Sequence, residues 1–120
     1  MKLFCSIAAA AAVAAGSLIA AIPAKASTIV ITTSWIMNHE KEKCIKDAVK
    51  AANKSGFSES HEIIESKSLP ITSLYAYSKA GPYAMSVECN EDNGTAALAV
   101  SGIMAEKTNK RFEDVIRAWK

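Results

Sequence analysis

Turn-forming and aromatic residues are scarce in this 120-residue chain: five glycines, three prolines and 7% aromatics. So small a supply excludes a collagen-like or low-complexity protein. Cysteine occurs three times with no Cys-x-x-Cys pair, so the thioredoxin-type redox motif is absent. There is no Gly-x-Ser-x-Gly elbow and no glycine-rich phosphate loop, which removes two common supports for hydrolytic and nucleotide chemistry. Acidic residues are missing altogether from residues 1–26. What is present is apolar: half of the chain, too much for a disordered tail and enough for one domain.

The apolar excess lies at the N-terminus, where residues 1–26 hold eleven alanines. Lys2 supplies a short positive region. Leu3 to Ile22 is then apolar except for Ser6, Gly16 and Ser17, and Pro23 ends the run. Ala24-Lys25-Ala26 places small residues at −3 and −1 of a signal-peptidase site, which predicts a cut between Ala26 and Ser27. A run of about twenty apolar residues also matches the thickness of a bilayer. Alanine, however, is only weakly hydrophobic, and the Pro23–Ala26 tail suits cleavage. The expectation is a cleaved signal peptide over 1–26, a single domain over 27–120 located in the periplasm or outside the cell, and no membrane association after cleavage. Cys5 leaves with the leader.

Loss of Lys2 and Lys25 reduces 14 basic residues to 12, equal to the 12 acidic ones. The apparent net charge of +2 therefore belongs to the leader. Nucleic-acid binding and polybasic membrane attachment both need a basic surplus, and the expected mature domain has none.

Cys44 and Cys89 remain. In an exported chain, two cysteines read most simply as one disulfide; the alternative is a redox or metal-binding pair. Closing a loop of about 45 residues contributes about 4 kcal/mol in the chain-entropy model. A domain this small buries only roughly 60–65% of its unfolded surface, so that contribution rivals its net stability.

Thr28–Met37 is rich in β-branched residues and predicts a first strand. Asn38 is placed to cap a helix over His39–Asn53, with Glu40 and Glu42 early and Lys50 and Lys54 late, as the helix dipole favours. Cys44, Ile45, Ala48, Val49 and Ala52 form its apolar stripe. Gly56 should end it, with Phe57 folding back on the last turn. His61–Ser66 predicts a short strand, and a further strand near Leu74–Ser78 is expected within Ser68–Gly81. Tyr83, Met85, Val87 and Cys89 alternate with polar or small residues, as in a half-buried strand. Asn93-Gly94 favours a type I′ hairpin turn. That turn would pair Asp92 with Thr95, Cys89 with Leu98 and Val87 with Val100, leaving Glu88, Asn90, Ala97 and Ala99 on the other face. A final helix is expected over Ile103–Trp119, capped by Ser101 or Thr108, with Met104, Thr108, Phe112, Val115, Ile116 and Trp119 as its stripe. The sum is an α+β domain: a small antiparallel or mixed sheet, two helices packed on one face, and a helix-to-sheet disulfide, since both sulfurs point into the same core.

The pattern Cys44-x3-Ala48-Val49-x2-Ala52-x3-Gly56, the strand-ending Cys89, and Ala99-Val100-Ser101-Gly102 before a helix holding Phe112 and Val115 resemble those of small exported bacterial proteins of unknown function. The resemblance implies this architecture and this compartment, and carries no catalytic residues.

His39, Cys44, His61 and Cys89 are nominally a zinc set, but their spacing matches no familiar finger. His39 and Cys44 would also stand about 500° of helix rotation apart. Met37, Met85 and Met104 would extend the set to copper, yet methionines at these spacings read as core fillers. The carboxylate pairs Glu40/Glu42, Glu62/Glu65, Glu91/Asp92 and Glu113/Asp114 are near neighbours of the solubilising kind, and no nucleophile has a base beside it. The expectation is a non-enzymatic domain without cofactor or resident metal. It would act by binding a protein or small ligand, as a monomer or weak homodimer. Tyr75, Tyr77, Lys79 and Tyr83, around the Lys79–Pro82 turn, are the candidate binding residues, and the small residues Ala84, Ser86, Ala97 and Ala99 mark a second candidate surface. The alternative is a periplasmic metal-binding or redox protein using Cys44 and Cys89.

Overall fold

The computed structural model describes residues 27–119; the expected signal peptide over 1–26 lies outside the described residues. The chain runs β1 (Ile29–Ile36), α1 (Lys41–Lys54), β2 (Glu59–Glu65), β3 (Ile71–Tyr77), β4 (Ala84–Asn90), β5 (Thr95–Gly102) and α2 (Ala105–Trp119). The strands form one sheet in the order β1-β5-β4-β3-β2, with every neighbouring pair antiparallel. Hairpins join β2 through β5, and the link from β1 to β2 must cross the whole sheet, roughly 19 Å at strand spacing. The 14-residue α1, about 21 Å long at 1.5 Å per residue, provides that crossing. It packs on β3 and β4, while α2 packs beside it on β5 and β1. The fold is therefore α+β with both helices on one face, and the sheet is antiparallel throughout.

Cys44 of α1 and Cys89 of β4 are joined in a disulfide, with Cα atoms 6.2 Å apart. Both residues are fully buried. Around them pack Ile45, Ala48, Ala51 and Ala52 of α1, Leu74, Met85, Val87, Leu98 and Val100 of the sheet, and Val115 of α2.

The end of α1 follows the expected chemistry. Gly56 adopts φ +88°, a conformation costly for residues with a Cβ. The Phe57 N–H donates to the Ala52 carbonyl at 2.8 Å and the Gly56 N–H to Asn53 at 3.5 Å, the bond pair of a Schellman motif. Phe57 is then fully buried. The start of α1 differs from expectation. Met37 extends the β1 ladder by donating to the Gly94 carbonyl at 2.7 Å, so the chain bends at Asn38–His39. The cap position falls on Glu40, without a side-chain hydrogen bond.

The β4–β5 hairpin is slipped by two residues from the expected register. Asn90 faces Thr95, Cys89 faces Ala96 and Val87 faces Leu98. A type I′ turn needs positive φ at both central residues, whereas only Gly94 has it here, at +60°. Residues 91–94 form a longer loop instead. In it the Gly94 N–H donates to the Glu91 carbonyl at 3.3 Å, and the Asn93 N–H donates to Asn90 Oδ1 at 3.2 Å. Because side chains alternate with period two, this slip leaves every side chain on its expected face.

The strand bounds and the second helix also shift. Pro70 precedes β3, which begins at Ile71 and not near Leu74. α2 begins at Ala105, and neither Ser101 nor Thr108 caps it. Thr108 sits fully buried inside the helix and bonds the Met104 carbonyl through Oγ1 at 2.7 Å. Met104, expected in the buried stripe, precedes the helix and is exposed.

Candidate functional site

The helices cover one face of the sheet, and within the described residues the other is bare. Leu74, Ala76, Met85, Val87, Ala96, Leu98 and Val100 point inward and are buried, so their sequence neighbours point outward. The register arranges the outer face in cross-strand rows. One row is Val30, Ser101, Ala84, Tyr77 and Glu59; the next is Thr32, Ala99, Ser86, Tyr75 and Glu62. A third is Ser34, Ala97, Glu88, Ser73 and Ile64.

These rows divide the four candidate binding residues. Tyr75 and Tyr77 stand two apart on one strand, roughly 7 Å along it, and are 40% and 49% exposed. Lys79 lies in the following turn and is exposed. Tyr83 takes the opposite side and is 8% exposed. Its ring fills the space where a side chain on Gly102 would project, and the Arg111 guanidinium lies 5.3 Å from the ring centroid. Tyr83 is thus a packing residue that ties the β3–β4 turn to α2, while Tyr75 and Tyr77 remain on the open face.

An irregularity in β2 brings two carboxylates to these tyrosines. Glu59 faces Tyr77, and Glu62 faces Tyr75. Three residues apart on a regular strand, they would point to opposite faces. The register shift between them inserts one extra residue, as a β-bulge does, and Ser60 takes φ +48° there. His61, within the bulge, donates through Nε2 to the Phe57 carbonyl at 2.7 Å. Sequence reasoning misses this pair of acids, because a bulge has no period to read; Ser-His between two glutamates is its only trace.

Toward β1, the face is lined by small side chains. Thr32, Ser34, Ser86, Ala97 and Ala99 border a shallow depression whose charged wall is Glu88. Among the described residues no lysine or arginine occupies a paired outward strand position on this face. The face carries three carboxylates (Glu59, Glu62 and Glu88) and two tyrosines.

The other candidate constellations fall elsewhere. With Cys44 and Cys89 bonded to each other, neither sulfur is a thiolate, the form that ligates metal. Met37 and Met85 lie in the core and Met104 is exposed. His39 stands 3.9 Å from Asp47, which also pairs with Lys43 at 2.8 Å. The Lys43 hydrogen bond holds the Asp47 carboxyl below its usual value of 3.8, against a smaller opposing effect of burial. Among the described residues no three His, Cys, Asp or Glu side chains converge as a metal site.

Comparison with family models, with curated proteins and with solved structures yields no match to this chain.

Proposed function

We propose that this protein is an exported, disulfide-stapled binding domain that acts without catalysis, and that its open sheet face holds a cationic segment of a partner protein. The observation that carries this reading is the juxtaposition of Tyr75 and Tyr77 with Glu59 and Glu62 on a face without a basic strand residue. An ammonium or guanidinium group over an exposed tyrosine gains about 0.5–1 kcal/mol, and an adjacent carboxylate adds Coulomb attraction. The carboxylates repel polyanions. The depression of small residues beside them admits close backbone approach. An oxidised Cys44–Cys89 bond suits the periplasm or the extracellular space, where the leader-like segment would send the chain.

The test uses immobilised wild-type protein and the Tyr75→Ala/Tyr77→Ala variant, probed with a lysine-rich peptide, a glutamate-rich peptide and native-compartment extract. Wild type should retain the lysine-rich peptide and a salt-eluted partner, and the variant should lose roughly tenfold in retention, about two contacts of this size. Both side chains are about half exposed, so the loss of two strand-favouring aromatics should lower the melting temperature modestly and leave the circular dichroism spectrum unchanged. Equal retention by wild type and variant, or preference for the acidic peptide, would refute the reading.

A further inference from the structure

Sheet edges expose unpaired N–H and C=O groups, and proteins usually guard them with charge, proline or bulges. The two edges of this sheet differ. β2 reads ESHEIIE, with three glutamates and the bulge at Ser60. β1 reads IVITTSWI, with no charge, proline or glycine, and its register runs unbroken from Ile29 opposite Gly102 to Ile36 opposite Thr95. Its outward side chains include Val30 and Ile36, 57% and 76% exposed. One edge is guarded, and the other carries none of these guards.

The groups left free on β1 can be named. The Met37 N–H donates to the Gly94 carbonyl in register with the ladder. Hydrogen-bonding direction alternates along an antiparallel strand. Odd-numbered residues of β1 therefore bond to β5, and the backbone groups of Val30, Thr32, Ser34 and Ile36 face the open side. Among the described residues no strand pairs there.

We infer that β1 of a second copy of this chain occupies that edge, antiparallel, about a twofold axis at Thr33. This register sets Thr32 against Ser34 and Val30 against Ile36 as the hydrogen-bonded pairs, so the free backbone groups meet each other. Val30 and Ile36 then cover one another on the outer face, and Ile31 faces Trp35 on the helix side. Axes at Thr32 or Ser34 would set Ile36 against Thr28 or Thr32, and a slip of one residue would oppose inner to outer side chains. The hollow lined by Thr33, Ser34, Trp35, Ile116 and Trp119 lies at the same edge, where Ile31 of the second copy would close it. The contact is isologous, as closed dimers require, and makes one sheet of both copies. It does not depend on the tyrosine face, and its test reads assembly, not ligand.

Sedimentation equilibrium of the oxidised protein should give twice the chain mass at roughly 100 μM, with dissociation on dilution by mass action. The Val30→Lys/Ile36→Lys variant places like charges directly opposite across the interface and should weaken association at least about tenfold. Val30→Lys/Ile36→Glu places opposite charges at the same positions and should restore association to within about threefold of wild type. Both residues are exposed in the single copy, so circular dichroism should report the same fold for all three. A monomeric wild type at this concentration, or equal association of the two charged variants, overturns the proposal.

Discussion

Trp35 of β1 and Trp119 of α2 meet edge to face, with ring centroids 4.9 Å apart and planes at 77°. This contact ties the last turn of the final helix to the strand at the sheet edge. Aromatic pairs in this geometry contribute about 0.5–1.5 kcal/mol beyond the area they bury. With Trp119 half-buried, Trp119→Ala should lower the unfolding free energy by about 2–3 kcal/mol, measured by urea denaturation. Trp119→Phe should recover more than half of that loss.

Gly102 gives a second prediction. A Cβ there would press on the Tyr83 ring and on Thr108 Oγ1, and Thr108 is held by its bond to the Met104 carbonyl. Gly102→Ala should therefore destabilise by about 1–3 kcal/mol through overpacking, although alanine normally favours a strand over glycine. A variant as stable as wild type in thermal melts would show that α2 can shift outward without cost.

Removal of the staple should cost more. The bond spans 45 residues of sequence, so Cys44→Ala/Cys89→Ala should lose about 4 kcal/mol in the chain-entropy model. Chemical denaturation should show the midpoint falling and the slope rising, because the unfolded chain, freed of its cross-link, expands and exposes more surface.

The fourth prediction concerns acid. The Lys43 hydrogen bond, the largest cause, lowers the Asp47 pKa in the folded protein. The folded state then binds fewer protons than the unfolded chain around pH 3.8, the usual aspartate value. The resulting stability is fully present above that value and is lost as pH falls through the depressed one. For an i,i+4 helix pair the contribution is about 0.3–0.5 kcal/mol. Asp47→Asn should therefore unfold more readily than wild type at pH 7, and the difference should vanish toward pH 2, as followed by denaturation at each pH.

What was legible in the sequence followed the reach of each signal. The end of α1 is written in Gly56 and Phe57, because a left-handed glycine and a hydrophobic return are local demands. The meeting of Cys44 and Cys89 follows from two independent apolar faces, helical around Cys44 and alternating around Cys89. The same alternation is blind to a slip of two residues, so the β4–β5 register was not recoverable from it. The preferred turn dipeptide misled, because the hairpin tip uses the Asn90 side chain and the Glu91 carbonyl to close a longer loop. At the candidate site, Tyr75 and Tyr77 were legible as aromatics near a turn. Tyr83 shares their chemistry but has the parity of Met85 and Val87, and so points inward. Glu59 and Glu62 reach the same face only through the bulge between them, which nothing in the spacing of the residues foretells.

The seclusion of the sulfurs has a kinetic meaning. Cys44 and Cys89 expose no surface, so a dissolved thiol has no line of attack while α1 rests on the strands beneath it. Cleavage must wait for the helix to lift away. The lifetime of the bond in a reducing fluid would then depend on how often the domain breathes open as well as on how much reductant surrounds it.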